Sequence, residues 1–100
     1  MSLTLSRKLS ERPRRRAKPL ALVATGDEVL HRRLVQLAER LGYASCRART
    51  TDGCLRVATA IGPDVVLMDD RWPMGLERLL RAHPAFVASE IVRVSRDGSV

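Results

Sequence analysis

Aromatic side chains are nearly absent from these 100 residues: Tyr43, Trp72 and Phe86 are the full set. Any core must therefore be aliphatic, assembled from Leu, Val, Ile and Ala. Cysteine is scarce too. Cys46 and Cys54 stand eight positions apart with no His or further Cys at metal-ligand spacing. Two reduced, half-buried thiols are the expectation. No apolar run approaches the roughly 18 residues that a membrane span needs. The run "PLALVA", from Pro19, follows arginines, but it is shorter than a secretory h-region and no small-residue cleavage site comes after it. An Arg- and Ser-rich, acid-poor start would also suit an organelle transit peptide. The expectation is a cytoplasmic protein with no membrane partner.

Acidic residues are missing from one stretch in particular. Arg7, Lys8, Arg12, Arg14, Arg15, Arg16 and Lys18 face Glu11 alone, which gives that segment +6 of the formal +7. From Pro19 onward eleven arginines oppose ten acids, so the remainder is almost neutral at +1. Residues 1–18 read as a flexible basic arm and residues 19–100 as a single domain.

Within that domain, apolar strands alternate with helical periods. "LALVA", Leu20 to Ala24, has strand length. Thr25 with Glu28 three residues on has the form of a capping box, which predicts a helix with Thr25 at its N-cap. Leu30, Leu34, Leu37 and Leu41 then recur at helical spacing, widened by Val29 and Ala38, and Gly42 closes the helix. "ASCRART" alternates as a half-exposed edge strand does. Thr51 is placed to cap a second helix carrying Cys54, Leu55, Ala58 and Ile61, which Gly62 and Pro63 stop. "VVLM", Val65 to Met68, is a second all-apolar strand. A short helix with Leu76, Leu79 and Leu80 follows and ends before Pro84, and "IVRVS", Ile91 to Ser95, is a fourth strand.

The β-α-β-α-β-α-β order implies parallel strands with right-handed crossovers. The all-apolar first and third strands belong in the middle, covered on both faces. The expected architecture is a doubly wound α/β sheet ordered 2-1-3-4. In such sheets chemistry gathers beyond the carboxyl ends of the strands at the switch point, here between strands one and three. Asp69 follows Met68 at that point, which makes "MDD" a candidate site; a plain solvated strand end is the competing explanation.

From about Leu20 to Ser95 the chain resembles a response-regulator receiver domain of two-component signalling, a flavodoxin-like fold. "LVQLAERLGYASCRA" is similar to the receiver's first helix and second strand, and "PDVVLMDDRWP" to its third strand, phosphoacceptor aspartate and following loop. The resemblance implies that Asp69 is the phosphoacceptor, with Pro73 four residues later. It implies that Ser95 is the switch hydroxyl ending strand four, although an ordinary strand terminus explains Ser95 equally well.

Three departures bear on function. A receiver carries an acidic pair after strand one that binds Mg²⁺ together with the phosphoacceptor. Thr25 and Gly26 hold those positions here. Asp27 and Glu28 follow inside the first helical turn, and only a gap that gives up the capping box would slide them into place. Asp69 with Asp27 is thus at most a weak metal site, and phosphoryl transfer depends on the metal to neutralise developing charge. A receiver also has a fifth strand ending in a lysine, with a helix after it; here the only lysines are Lys8 and Lys18, and the fifth strand and helix are expected to be lacking. The loop after Pro73 is short as well.

The resulting expectation is an incomplete, degenerate receiver-like domain. It is not an enzyme, and it regulates through a protein partner with weak or no phosphoryl acceptance. No cofactor is expected, Mg²⁺ entering only if the receiver site is active. Two further readings stand beside it. One is a working single-domain response regulator phosphorylated on Asp69 by a histidine kinase. The other is a nucleic-acid-associated regulator whose Arg12, Arg14, Arg15, Arg16 and Lys18 bind phosphates without sequence preference. Strand four, with Arg93 in its middle, reads as an edge guarded by a charge. A homodimer through Leu76 to Leu80 and Ile91 to Val94 would relieve a small core.

Overall fold

Four parallel strands run in the order β2-β1-β3-β4 in the computed structural model, which describes residues 18–84 and 89–97 of the chain. The elements alternate as expected: β1 (Leu20–Ala24), α1 (Glu28–Arg40), β2 (Ala44–Ala48), α2 (Thr51–Ile61), β3 (Val65–Asp69), α3 (Met74–Ala82) and β4 (Glu90–Val94). The central strands β1 and β3 are buried almost throughout, as their unbroken apolar runs require.

Successive residues of each strand face opposite sides of the sheet, and this divides the core in two. Ala21, Val23, Val65, Leu67, Val92 and Val94 pack with Leu30, Leu34 and Leu37 of α1. Leu22, Ala24, Val66, Met68 and Ile91 pack with Cys54 and Ala58 of α2 and Leu76 and Leu80 of α3. The helices thus lie on both faces, the doubly wound arrangement. Cys46 and Cys54 are free thiols, and burial pushes Cys54 up to about 11, which keeps it protonated and unreactive.

Asp64 holds the amino end of β3. It is buried, its Oδ2 accepts from the Leu20 N–H at 2.8 Å, and its own N–H donates to the Leu20 carbonyl at 2.9 Å. At the outer side, Glu90 N–H donates to the Asp64 carbonyl.

Several local expectations are corrected. The N-cap of α1 is Asp27, not Thr25: Asp27 Oδ1 accepts from Val29 and Leu30 N–H groups, while the Thr25 hydroxyl is engaged elsewhere. Glu28 does not reach back to complete a box and instead pairs with Arg47 at 2.9 Å and Arg49 at 3.3 Å. The α2 cap is Thr50, whose extended backbone lets its hydroxyl accept from Gly53 N–H; Thr51 is already helical. Gly42 does close α1, at φ 85°. Strand β4 spans Glu90–Val94, so Ser95 lies just past it.

Arg93 is not an open edge guard. Its side chain is only 22% exposed and folds over the β3–α3 loop. The proposed interface residues Leu76, Leu80, Ile91, Val92 and Val94 are buried in the chain's own core, leaving Leu79 and the neighbouring Met74 as the large exposed apolar side chains of α3. The cause is helical spacing: Leu76 and Leu80, four apart, face α2 and the sheet, and Leu79 points away.

Candidate acid pocket

The carboxyl ends of β1 and β3 deliver two side chains to one point. Thr25 follows β1 and Asp69 ends β3, and both are buried. Thr25 Oγ1 donates to Asp69 Oδ2 at 2.7 Å and accepts the Asp27 N–H at 3.0 Å. That second bond sets the turn which places Asp27 at the head of α1. Gly26 fits this turn because a Cβ there would meet the Arg49 carbonyl at 3.2 Å, so a larger side chain would have to displace backbone.

The loop after β3 folds back on Asp69 at once. The Arg71 N–H donates to Asp69 Oδ1 at 3.0 Å, an Asx turn. The guanidinium of the same residue then grips both carboxylate oxygens, Nε to Oδ1 at 2.9 Å and Nη2 to Oδ2 at 2.7 Å. Nη2 also reaches Asp27 Oδ2 at 3.2 Å. Each oxygen of Asp69 therefore accepts two hydrogen bonds. Burial pushes the Asp69 carboxyl up, but the Arg71 and Thr25 bonds outweigh it and hold it at about 2. Asp27 is held below the ordinary carboxylate value, first by the Leu30 N–H and, against partial burial, by Arg71. Arg71 is driven further above its own range by the same two acids, Asp69 foremost.

Gly26, Asp27, Asp69, Arg71 and Trp72 line an open hollow of about 420 Å³. The Trp72 side chain is half-buried and packs on the α2–α3 side of the core, and its backbone N–H donates to the Asp69 carbonyl. Asp70, next to the gripped acid, is exposed and turned away, with its N–H tied to the Val94 carbonyl.

The two carboxylates proposed for a metal, Asp69 and Asp27, are thus brought together, with Arg71 between them. Mg²⁺ asks for near-octahedral oxygens, free carboxylate lone pairs among them. Here both acids are turned onto a guanidinium, and among the described residues no cluster of three or more His, Cys, Asp or Glu is placed to hold a metal ion. The donor set does not fit Mg²⁺. Ser95 lines a neighbouring hollow with Asp27, Val29, Arg33, Arg96 and Asp97, and its hydroxyl donates to Asp97. Of the basic arm, Lys18 is exposed, and Arg12, Arg14, Arg15 and Arg16 lie outside the described residues. No helix among the described residues is long and apolar enough to cross a membrane.

Arg71 completes the candidate site and is not among the residues expected from the sequence. Its signal was present in "DDRWP": an Asp followed two residues later by a long cation, at a strand end where an Asx turn brings the two together.

No family model matches the chain, and no curated protein matches it. A solved structure does match in fold: a CheY-like response-regulator receiver domain from Methylobacillus flagellatus, with a TM-score of 0.71 and 25% identity over 79% of this chain and 70% of that one. The sheet order, the alternating helices and this likeness together make the chain a receiver-like domain.

Proposed function

We propose that this receiver-like signalling domain acts through contact with a protein partner and does not accept a phosphoryl group on Asp69. The observation that carries the reading is the Arg71 grip. An attacking carboxylate must offer a lone pair in line with phosphorus. Both Asp69 oxygens are already committed twice over, to Arg71 and Thr25. A carboxyl held at about 2 is also a weakened nucleophile. Phosphoryl transfer further needs positive charge for the developing oxygens. The cation at this pocket is neutralised by Asp69 and Asp27, and the acids do not suit Mg²⁺. What remains is a folded α/β platform whose site loop is fixed by an internal ion pair, a surface for recognition.

Incubation with Mg²⁺ and a small phosphodonor tests the reading. Intact mass should stay unchanged over the period in which an active receiver is fully modified. Substantial modification that disappears in Asp69→Asn would establish the response-regulator alternative instead.

A further inference from the structure

Arg71 is held from two sides along its own backbone. The preceding carbonyl, of Asp70, and the following one, of Trp72, both accept from a single nitrogen, Arg93 Nη2, at 2.8 and 2.6 Å. Arg93 belongs to β4, the strand paired with β3, and stands in register with Met68 just before the loop it binds. Its other terminal nitrogen, Nη1, lies 3.8 Å from Met68 Sδ and 3.8 Å from Glu77 Oε1 on α3. A second, backbone bond ties the same loop to the same strand, Asp70 N–H to the Val94 carbonyl at 2.9 Å.

A short loop leaving a strand has many ways to turn. The one seen here presents Arg71 with both its N–H and its guanidinium toward Asp69. Two carbonyls two residues apart converge on one cation when the residue between them is pushed to the opposite side, and here that side is the acid pocket. Charge-assisted bonds to carbonyls are the strong ones, and a guanidinium meets two acceptors with little further ordering.

We infer that Arg93 is the positioning residue of the acid pocket: by clasping the Asp70 and Trp72 carbonyls it fixes the loop that aims Arg71 at Asp69, and so joins the outer strand β4 and helix α3 to the pocket. The joint makes the pocket responsive to the strand. A partner that drew Arg93 off the two carbonyls would loosen Arg71 without touching Asp69. It also gives a polar residue in a mostly apolar strand a task that packing alone does not supply. The inference stands on the loop geometry and holds whether or not Asp69 accepts phosphate.

The test reads the Arg71 side chain directly. Hydrogen exchange of the Arg71 Nε–H, followed by nitrogen-edited NMR, reports its bond to Asp69. Emission of Trp72, the chain's only tryptophan, reports the loop. In Arg93→Met, which retains much of the length but donates nothing, Nε–H exchange should quicken by roughly ten-fold or more and the emission should shift to the red, with thermal unfolding still cooperative. Arg93→Lys, which keeps a charged donor, should retain most of the protection. Glu77→Gln, which removes the α3 carboxylate paired with Arg93 and Arg81 but leaves the two loop carbonyls to Arg93, should leave both signals unchanged. If Arg93→Met does not fold, Arg93→Gln takes its place with an intermediate effect expected. On the unaltered chain, the Arg93 guanidinium protons should themselves exchange slowly, a measurement that stands whatever the variants do. A folded Met or Gln variant with wild-type Arg71 exchange and Trp72 emission, or freely exchanging Arg93 protons in the wild type, overturns the assignment.

Discussion

Arg71 and Asp69 are separated by one residue in the chain and joined by three hydrogen bonds, two from the guanidinium and one from the backbone. So short a circuit closes within the β3–α3 loop, which Arg93 clasps from β4, and leaves the carboxylate of β3 facing a cation made by its own loop. The pocket's behaviour under mutation and acid follows from that closure.

Removing the cation should hurt more than removing the pair. Arg71→Ala leaves Asp69 buried and charged with Thr25 as its remaining side-chain donor, and a loss of about 1–3 kcal/mol is expected. The double variant Asp69→Asn with Arg71→Ala should recover part of it, because the uncompensated charge is gone. Urea unfolding of the two single variants and the double variant at neutral pH measures the coupling.

Acid should weaken the fold through the same residue. Asp69 titrates at about 2 in the folded chain and near the ordinary Asp value, about 3.9, when unfolded. The folded form binds the proton less readily, so the stabilisation is complete above roughly pH 5 and is lost as pH falls toward 2, on the order of 2 kcal/mol in all. Asp27 and Glu28 are lowered as well and add in the same direction. Stability measured by denaturant at steps between pH 6 and pH 2 should fall across that window, and the slope should flatten in Asp69→Asn.

The core should show its centre at β3. Leu67 is fully buried among α1, β1 and β4 residues, and Leu67→Ala should cost about 2–5 kcal/mol. Leu79→Ala, on the exposed side of α3, should change stability by less than about 0.5 kcal/mol. Thermal melts of the two variants make the comparison.

The arm should bind polyanions weakly. A net +6 over residues 7–18 predicts DNA binding at low salt that ignores sequence and falls steeply as salt rises. Deleting residues 1–18 should abolish it. A deletion variant that binds as well as the full chain would place the contact on the folded domain, among arginines such as Arg32, Arg56 and Arg78.

The order of the strands was legible because "LALVA" and "VVLM" carry no polar residue and so had to be central, while "ASCRA" alternates and had to be outer. Asp69 could be placed from topology alone. The grip on it could not, because hydrophobic periodicity says nothing about a loop. Thr25 was misassigned for a related reason: a hydroxyl three residues before a glutamate satisfies the capping pattern, but the pattern cannot register a buried carboxylate 44 residues away that competes for the same hydroxyl. Asp27 then served as the cap, an equally good residue type two residues later. Arg93 was read as a surface guard since its sequence neighbours show only that it is charged, not that two loop carbonyls lie within its reach.

Asp64 at the start of β3 and Asp69 at its end enclose four residues, Val65, Val66, Leu67 and Met68, that are all apolar and all buried. Such a strand carries no inside–outside code: slid by one position, it would still offer oily side chains to both layers. The acids provide what the apolar residues lack. Asp64 bonds Leu20 and Asp69 bonds Thr25, each 44 positions back, one at either end of β1. A slip of a single residue would break both bonds together and draw a carboxylate between the layers, at a cost that slipped packing does not repay. The two aspartates thus act as end stops that make the alignment of the central pair unique.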